Sequence, residues 1–284
     1  MTGPDRAARE GVPLRSRYTP ADLGVFTPDE ARRYVPPGDG DPRTNVFLAW
    51  ELLYRLEPEL YDRLASVERL HRGVVDWLPR DADRIVEVGA GTGRLTMELI
   101  GRARRVVAVE PARPLREILA RKLAAAEHGG RARVTHGFFD QLPLPDDDAD
   151  LVVACSAFTP AAGHGGEAGL AEMERACRPG GCVVIVWPNH IDWLIAHGYR
   201  YVCFPGPMSV EFASYAEAVE LTGIFYPKAA GQVRRCGLRT VPFEVLGLNP
   251  PRDLAFKVLG RPGGTTPLAL PPAAAGPDSP AGAP

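Results

Sequence analysis

Glycines at 89, 91 and 93 stand between the strand-like run Ile85–Val88 and the residues Leu95, Leu99 and Ile100 at helical spacing. A strand, a glycine turn and a helix start, in that order, form a corner suited to a nucleotide. Glycine lets the backbone approach a ligand where a Cβ would clash, and the helix start leaves amide donors unpaired. Glu110 closes a second apolar run, Val106–Val109, and lies 21 residues beyond Gly89. A carboxylate there can accept both hydroxyls of a ribose. The plain alternative is a capping or solvated glutamate at a strand end. Spacing excludes two relatives of this corner. A dinucleotide fingerprint wants a sixth-position glycine where Arg94 stands, and the Gly-Lys-Ser/Thr of a phosphate loop is absent.

Periodicity supplies the elements that must position these residues. Strands are expected at Arg84–Val88, Arg105–Val109, Ala132–His136, Asp150–Cys155 and Cys182–Trp187, with helices at Gly93–Gly101, Arg113–Glu127 and Glu167–Cys177. Such alternation implies a parallel sheet. Two further strands, Thr240–Gly247 and Asp253–Leu259, have only Leu248–Arg252 between them and read as an antiparallel pair. Upstream, Val46, Phe47, Trp50, Leu53 and Tyr54 share one face of a helix from Thr44 to Leu56. Pro58 opens the next helix, striped by Leu60, Tyr61, Leu64 and Val67, and a short segment follows at Gly73–Leu78. The expected fold is α/β: a doubly wound, mainly parallel seven-stranded sheet (Rossmann-like) with an antiparallel C-terminal strand pair, N-terminal helices and an inserted cap between strands 5 and 6. Residues 1–43 read as a flexible arm with a short helix at Pro28–Tyr34. Residues 44–260 read as the domain, with helices over 44–80 and the cap over 188–238, and residues 261–284 as a disordered Pro/Ala/Gly tail.

The chain has 284 residues and a net charge of −2, which gives no generic attraction to nucleic acid or anionic membrane. No apolar run approaches the roughly 20 residues that span a bilayer. Asp5, Arg6, Arg9 and Glu10 leave no apolar core for a signal peptide. Five cysteines, an odd number without a Cys-x-x-Cys pair, indicate neither a disulfide framework nor zinc, and point to a reducing cytoplasm. Asp146, Asp147 and Asp148 read as solvated turn formers, so no metal is expected.

Glu87-Val-Gly-Ala-Gly-Thr-Gly93 resembles the first motif of class I S-adenosylmethionine-dependent methyltransferases. Further likenesses are Arg178-Pro-Gly-Gly181 before the fifth strand and Gly137-Phe-Phe-Asp-Gln-Leu-Pro143 after the third. The resemblance covers about residues 60 to 187. It implies S-adenosyl-L-methionine as cofactor and S-adenosyl-L-homocysteine as product. It places Glu87 where it orients the loop or meets the cofactor's amino group. Thr92 and the amides of Ala90 and Gly91 fall near the methionine carboxylate, and Glu110, followed by Pro111, at the ribose. Arg94 either pairs with that carboxylate or is exposed. The pattern departs at Phe138, where the family often has an aspartate for adenine. Asp140 then takes that role or backbone groups suffice, and Phe138 or Phe139 stacks on adenine or joins the core. Cys155, Ser156 and Ala157, beyond the fourth strand, flank the sulfonium, and Tyr61 resembles a family tyrosine that touches the cofactor.

The acceptor is harder to read. The Asn/Asp-Pro-Pro-aromatic motif of nucleic-acid amino methyltransferases is missing after the fourth strand, and no basic stripe with interleaved aromatics appears. From Pro188 to Tyr226, eight of 39 residues are aromatic. Trp193, Tyr199, Tyr201 and Phe204, with Trp50 and Tyr54, either line a pocket for a flat small molecule or pack the cap. A general base is needed only if the acceptor must lose a proton. His164, in the glycine-rich Ala161–Gly166 loop, and His190, after the fifth strand, are the candidates. The expected function is methyl transfer, at O, N or C, to an aromatic or heterocyclic small molecule, as in natural-product biosynthesis. Nucleic-acid and membrane partners are not expected, and oligomeric state is not readable. Competing readings are an NAD-dependent oxidoreductase and a non-catalytic cofactor-binding protein.

Overall fold

The computed structural model describes residue 9 and residues 11–260. The expected disordered tail, 261–284, lies outside them. The described chain forms two units, one of residues up to 69 with 207–250, the other of 70–206 with the residues from 251 on.

The first unit opens with a correction. Residues 11–43, expected as a loose arm, carry α1 (Leu14–Arg17), a tight turn at Pro20–Val25 and α2 (Pro28–Tyr34), with Leu14, Tyr18 and Tyr34 buried. Their charges are what hold them down. The Arg17 guanidinium donates to both Glu57 carboxylate oxygens at 2.6 and 2.7 Å, and the Tyr18 hydroxyl donates to the same group at 2.8 Å. Arg55, buried, bridges Glu51 at 2.6 Å and Glu30 at 2.8 Å, with its guanidinium 4.8 Å from the centre of the Phe26 ring. Composition alone counts such residues as solvated; paired with carboxylates of the following helices they bury. Those helices are α3 (Val46–Leu56), whose first turn is capped by the Asn45 side chain, and α4 (Pro58–Val67), opened by proline.

In the second unit α5 (Arg72–Trp77) leads into β1 (Ala82–Val88). Then come α6 (Thr96–Leu99), β2 (Ala103–Val109), α7 (Arg113–Ala125), β3 (Ala132–Thr135), β4 (Ala149–Cys155), α8 (Gly166–Ala176), β5 (Cys177–Val186), α9 (Ile191–Ala196) and β6 (Arg200–Cys203). The chain then supplies the first unit with β7 (Ser209–Glu211), α10 (Tyr215–Phe225), α11 (Pro227–Cys236), β8 (Thr240–Pro242) and α12 (Phe243–Leu246), and returns as β9 (Asp253–Val258). The inserted cap expected over 188–238 is therefore divided between the units.

Seven strands form one sheet in the order β3-β2-β1-β4-β5-β9-β6. Pairing is parallel from β3 to β5, while β9 runs antiparallel to both β5 and β6. The last four residues of β1 and of β2 and most of β4 and β5 are buried and, Glu87 apart, mainly apolar, as burial on both faces requires. Register brings Val88 level with Val109 on one side and Ala154 on the other, and Cys155 level with Val186, so the strand ends share one edge.

The expected mainly parallel sheet with an antiparallel end is present, but one member differs. Thr240–Gly247 is not the partner of β9. Pro242 cannot donate a ladder hydrogen bond, and the segment stops after three residues, pairs with β7 in a separate two-stranded sheet and turns into α12. The seventh place is taken by β6 from the aromatic stretch. A smaller difference concerns Arg178–Gly181, expected as a turn before β5. It lies within the strand as a register shift, Ala149 pairing with Cys177 and Leu151 with Cys182.

Candidate functional site

The glycine turn joins β1 to α6 in the second unit. Gly89, Gly91 and Gly93 all adopt left-handed backbone, with φ of 73°, 56° and 99°. At Gly89 a Cβ would lie 3.0 Å from the Ala157 methyl and from the Phe139 ring. At Gly93 it would lie 2.5 Å from Leu119 of α7. Two glycines are thus needed for closure of the protein upon itself, apart from any ligand.

The turn's amides show the same economy, and they correct an expectation. Ala90 N–H was assigned to the methionine carboxylate; it donates to the Val109 carbonyl at 3.0 Å, as Gly89 N–H does at 2.9 Å. Gly91 N–H donates to Glu110 Oε2 at 2.9 Å. These donors serve the turn because β2 ends beside it. The Thr92 hydroxyl stands apart: it is buried, and no hydrogen-bond partner exists for it among the described residues. An orphaned buried hydroxyl is costly and is the group a ligand would satisfy.

Glu110 is 5% exposed. Oε2 accepts from Gly91 and Oε1 accepts from Ala112 N–H at 2.7 Å. Each carboxylate oxygen accepts from one of these amides, so the pair fixes the group. Pro111 starts the turn into α7, and the Arg116 guanidinium donates to its carbonyl at 2.6 Å. Glu87 is buried beneath the turn and accepts from the Thr96 hydroxyl. Burial pushes its carboxyl up to about 8, with the Glu110 charge adding and the Thr96 hydrogen bonds opposing. It is mostly protonated at neutral pH and able to donate.

Around this centre the expected residues separate. Phe139 is half-buried, lies against Gly89 and meets Phe158 edge-on at 4.9 Å, whereas Phe138 is core and packs on His136. Asp140 is exposed. Cys155 ends β4, and Ser156 and Ala157 follow it at the carboxyl edge. Ser156 takes a left-handed φ of 52° and donates its amide to the Val186 carbonyl at 2.9 Å. The Arg94 guanidinium, expected at a carboxylate or in solvent, lies 5.2 Å from the centre of the Trp187 ring.

His164 sits in the short turn Ala162–His164, and its carbonyl accepts from Thr159 N–H at 3.0 Å. Burial pushes its imidazole below the usual range, so it is neutral at pH 7 and able to accept a proton. His190 is exposed and precedes α9.

The aromatic set divides three ways. Tyr199 is 3% exposed and packs with α8 in the sheet core, and Trp193 donates to Glu167 of α8 at 3.2 Å, so both serve the α8 face and not a pocket wall. Phe204 stacks at 6.1 Å on His71, in the space that Gly73 leaves open. Tyr201 donates its hydroxyl at 2.8 Å to Asp253, a residue that the sequence reading passed over as the first of an apolar strand. In the first unit Trp50, Tyr54 and Tyr61 cluster: Tyr54 and Tyr61 are 4.8 Å apart, and Trp50 stacks on Phe225 at 5.6 Å. Tyr61, which the resemblance places at the cofactor, belongs with Trp50 and Tyr54 to the first unit.

Among the described residues no group of three or more His, Cys, Asp or Glu is placed to hold a metal ion, and no helix is long and apolar enough to cross a membrane.

Residues 85–181 match the family model of a methyltransferase domain. An uncharacterized methyltransferase of Geobacillus kaustophilus is 30% identical over 145 residues, covering 49% of this chain and 64% of that protein. One of Mycobacterium tuberculosis is 33% identical over 117 residues, covering 40% of this chain and 43% of the relative. The chain thus spans less than two thirds of these relatives. Among solved structures, a SAM-dependent methyltransferase from Aquifex aeolicus aligns with a TM-score of 0.43 at 16% identity, covering 55% of this chain and 94% of that one.

Proposed function

We propose that this chain, a member of the class I S-adenosylmethionine-dependent methyltransferase family through its residues 85–181, transfers a methyl group to a small aromatic or heterocyclic molecule. The observation that carries the reading is the pairing of an amide-clamped Glu110 with an unpartnered Thr92 hydroxyl on one glycine turn. When bound, S-adenosylmethionine supplies a methyl group on a positively charged sulfur, open to in-line displacement.

The chain's own residues then bind, orient and exclude water. Glu110 receives the ribose hydroxyls. Thr92 donates to the methionine portion, and the protonated Glu87 holds the turn from beneath. Phe139, fixed against Gly89, offers a face to the adenine. Ala157 and Ser156 close the β4 side. His164, neutral and partly desolvated, accepts the proton that an O–H or N–H acceptor must lose. The chain acts without nucleic-acid or membrane partners, in the cytoplasm.

Calorimetry tests the assignment. Wild-type protein binds S-adenosylmethionine at micromolar levels, and Glu110→Ala weakens that binding about a hundredfold, as loss of charge-assisted hydrogen bonds requires. Unchanged affinity in the variant would sink the site.

A further inference from the structure

The carboxyl edge of the sheet continues past β4 and β5 to the start of β9. Because β9 is antiparallel, its first residue, Asp253, lies beside the last turn of β5, and the Trp187 amide donates to its carbonyl at 2.9 Å. Strand spacing puts Asp253 about 10 Å from the end of β4 and about 15 Å from that of β1, well beyond the cofactor residues. The side chain is 6% exposed. Oδ2 accepts from the Tyr201 hydroxyl at 2.8 Å, while Oδ1 is sealed from solvent without a hydrogen-bond partner among the described residues. The adjacent Arg252 guanidinium acts on it only through space, its hydrogen bond going to the Gly206 carbonyl at 2.8 Å. Trp187, next to it, carries a left-handed φ of 51°, uncommon for a bulky side chain.

A buried, half-satisfied carboxyl is expensive to keep. Hydrophobic isosteres would serve the sheet better if packing were its only task. Its position is at the edge of an open α/β sheet where ligands bind. We propose that Asp253, whose Oδ2 is held by Tyr201, anchors a protonated amine of the methyl-acceptor molecule through its own carboxylate charge at Oδ1. A cation supplies the missing hydrogen bond in its stronger, charge-assisted form, whereas a neutral hydroxyl supplies the weaker one. Entry requires the side chains sealing Oδ1 to give way. The assignment of the amine to the acceptor molecule rests on the methyltransferase reading; the anchor itself does not.

The full chain is titrated calorimetrically with phenethylamine, 2-phenylethanol and 3-phenylpropionate, each with and without S-adenosylhomocysteine. Wild-type protein binds the amine about tenfold or more tightly than the alcohol, and the anion least. Asp253→Asn abolishes that preference and leaves S-adenosylhomocysteine affinity unchanged. Tyr201→Phe, at a partly exposed position, keeps the preference because the carboxylate remains. Equal binding of amine and alcohol by wild type, a preference that survives in Asp253→Asn, or its loss in Tyr201→Phe overturns the proposal. Failure of wild type to bind S-adenosylhomocysteine overturns the methyltransferase reading alone, since the titrations without it still decide Asp253.

Discussion

Glu110 and Asp253 are both carboxylates at the carboxyl edge of one sheet, each 5–6% exposed, yet they are held in different ways. Glu110 has an amide on each oxygen, from Gly91 and Ala112, both within two or nineteen residues of it. Asp253 has one oxygen on a tyrosine 52 residues away and the other on nothing among the described residues. Their surroundings explain the contrast. Glu110 sits where two turns bring amides together, so its carboxylate is held in place within the protein itself. Asp253 opens an antiparallel strand, and the hydrogen bond to its carboxylate from another residue comes from a side chain, the Tyr201 hydroxyl. The clamped carboxylate lies within residues 85–181, which match the methyltransferase-domain model, and the half-satisfied one lies outside that span.

Three experiments sharpen or break this contrast. The largest effect concerns another buried carboxyl, Glu87. Its folded pKa of about 8 is above the ordinary 4.5, so the folded protein holds a proton that the unfolded chain releases between those values. Its contribution is therefore fully present below about pH 4.5 and is lost as pH rises through about 8. Thermal unfolding of Glu87→Gln should lose that decline, a difference of several kcal/mol between pH 5 and pH 9. Identical pH profiles in the two proteins would remove Glu87 from the account. Next, Gly93→Ala should cost about 2–3 kcal/mol in denaturant unfolding, since its methyl meets Leu119 at 2.5 Å on a left-handed backbone. A stable variant would show that the turn is less tightly closed than described. The smallest effect is that of Thr92→Val. Removing an unpartnered hydroxyl should leave stability unchanged or slightly raised while weakening S-adenosylmethionine about five- to tenfold by calorimetry. A large stability loss instead would mean that the hydroxyl is already satisfied inside the protein.

What was legible follows the range of the interaction. The turn at Gly89–Gly93, the strand at Val106–Val109 and Glu110 beyond it are neighbours within one β-α-β unit, so residue types at short spacing report them. The reading of Ala90 and Gly91 as ligand donors failed because their partners, Val109 and Glu110, come from the next strand. Tyr199 read as a possible pocket residue because aromaticity does not say which face of a sheet a side chain joins. Residues 11–43 read as loose because Arg17 and Arg55 count as surface charge until Glu57, Glu51 and Glu30 are placed against them.

By itself the sequence determined the β-α order, the glycine corner and the carboxylate after β2, since each depends on local periodicity and on which residues tolerate left-handed backbone. Tertiary structure alone decided that β6 and not Thr240–Gly247 completes the sheet, that Thr92 keeps an unpaired hydroxyl, and that Asp253 stands half-satisfied beside Trp187. Those outcomes turn on pairing between distant segments and on which polar groups burial leaves over, and neither is written in any one stretch of residues.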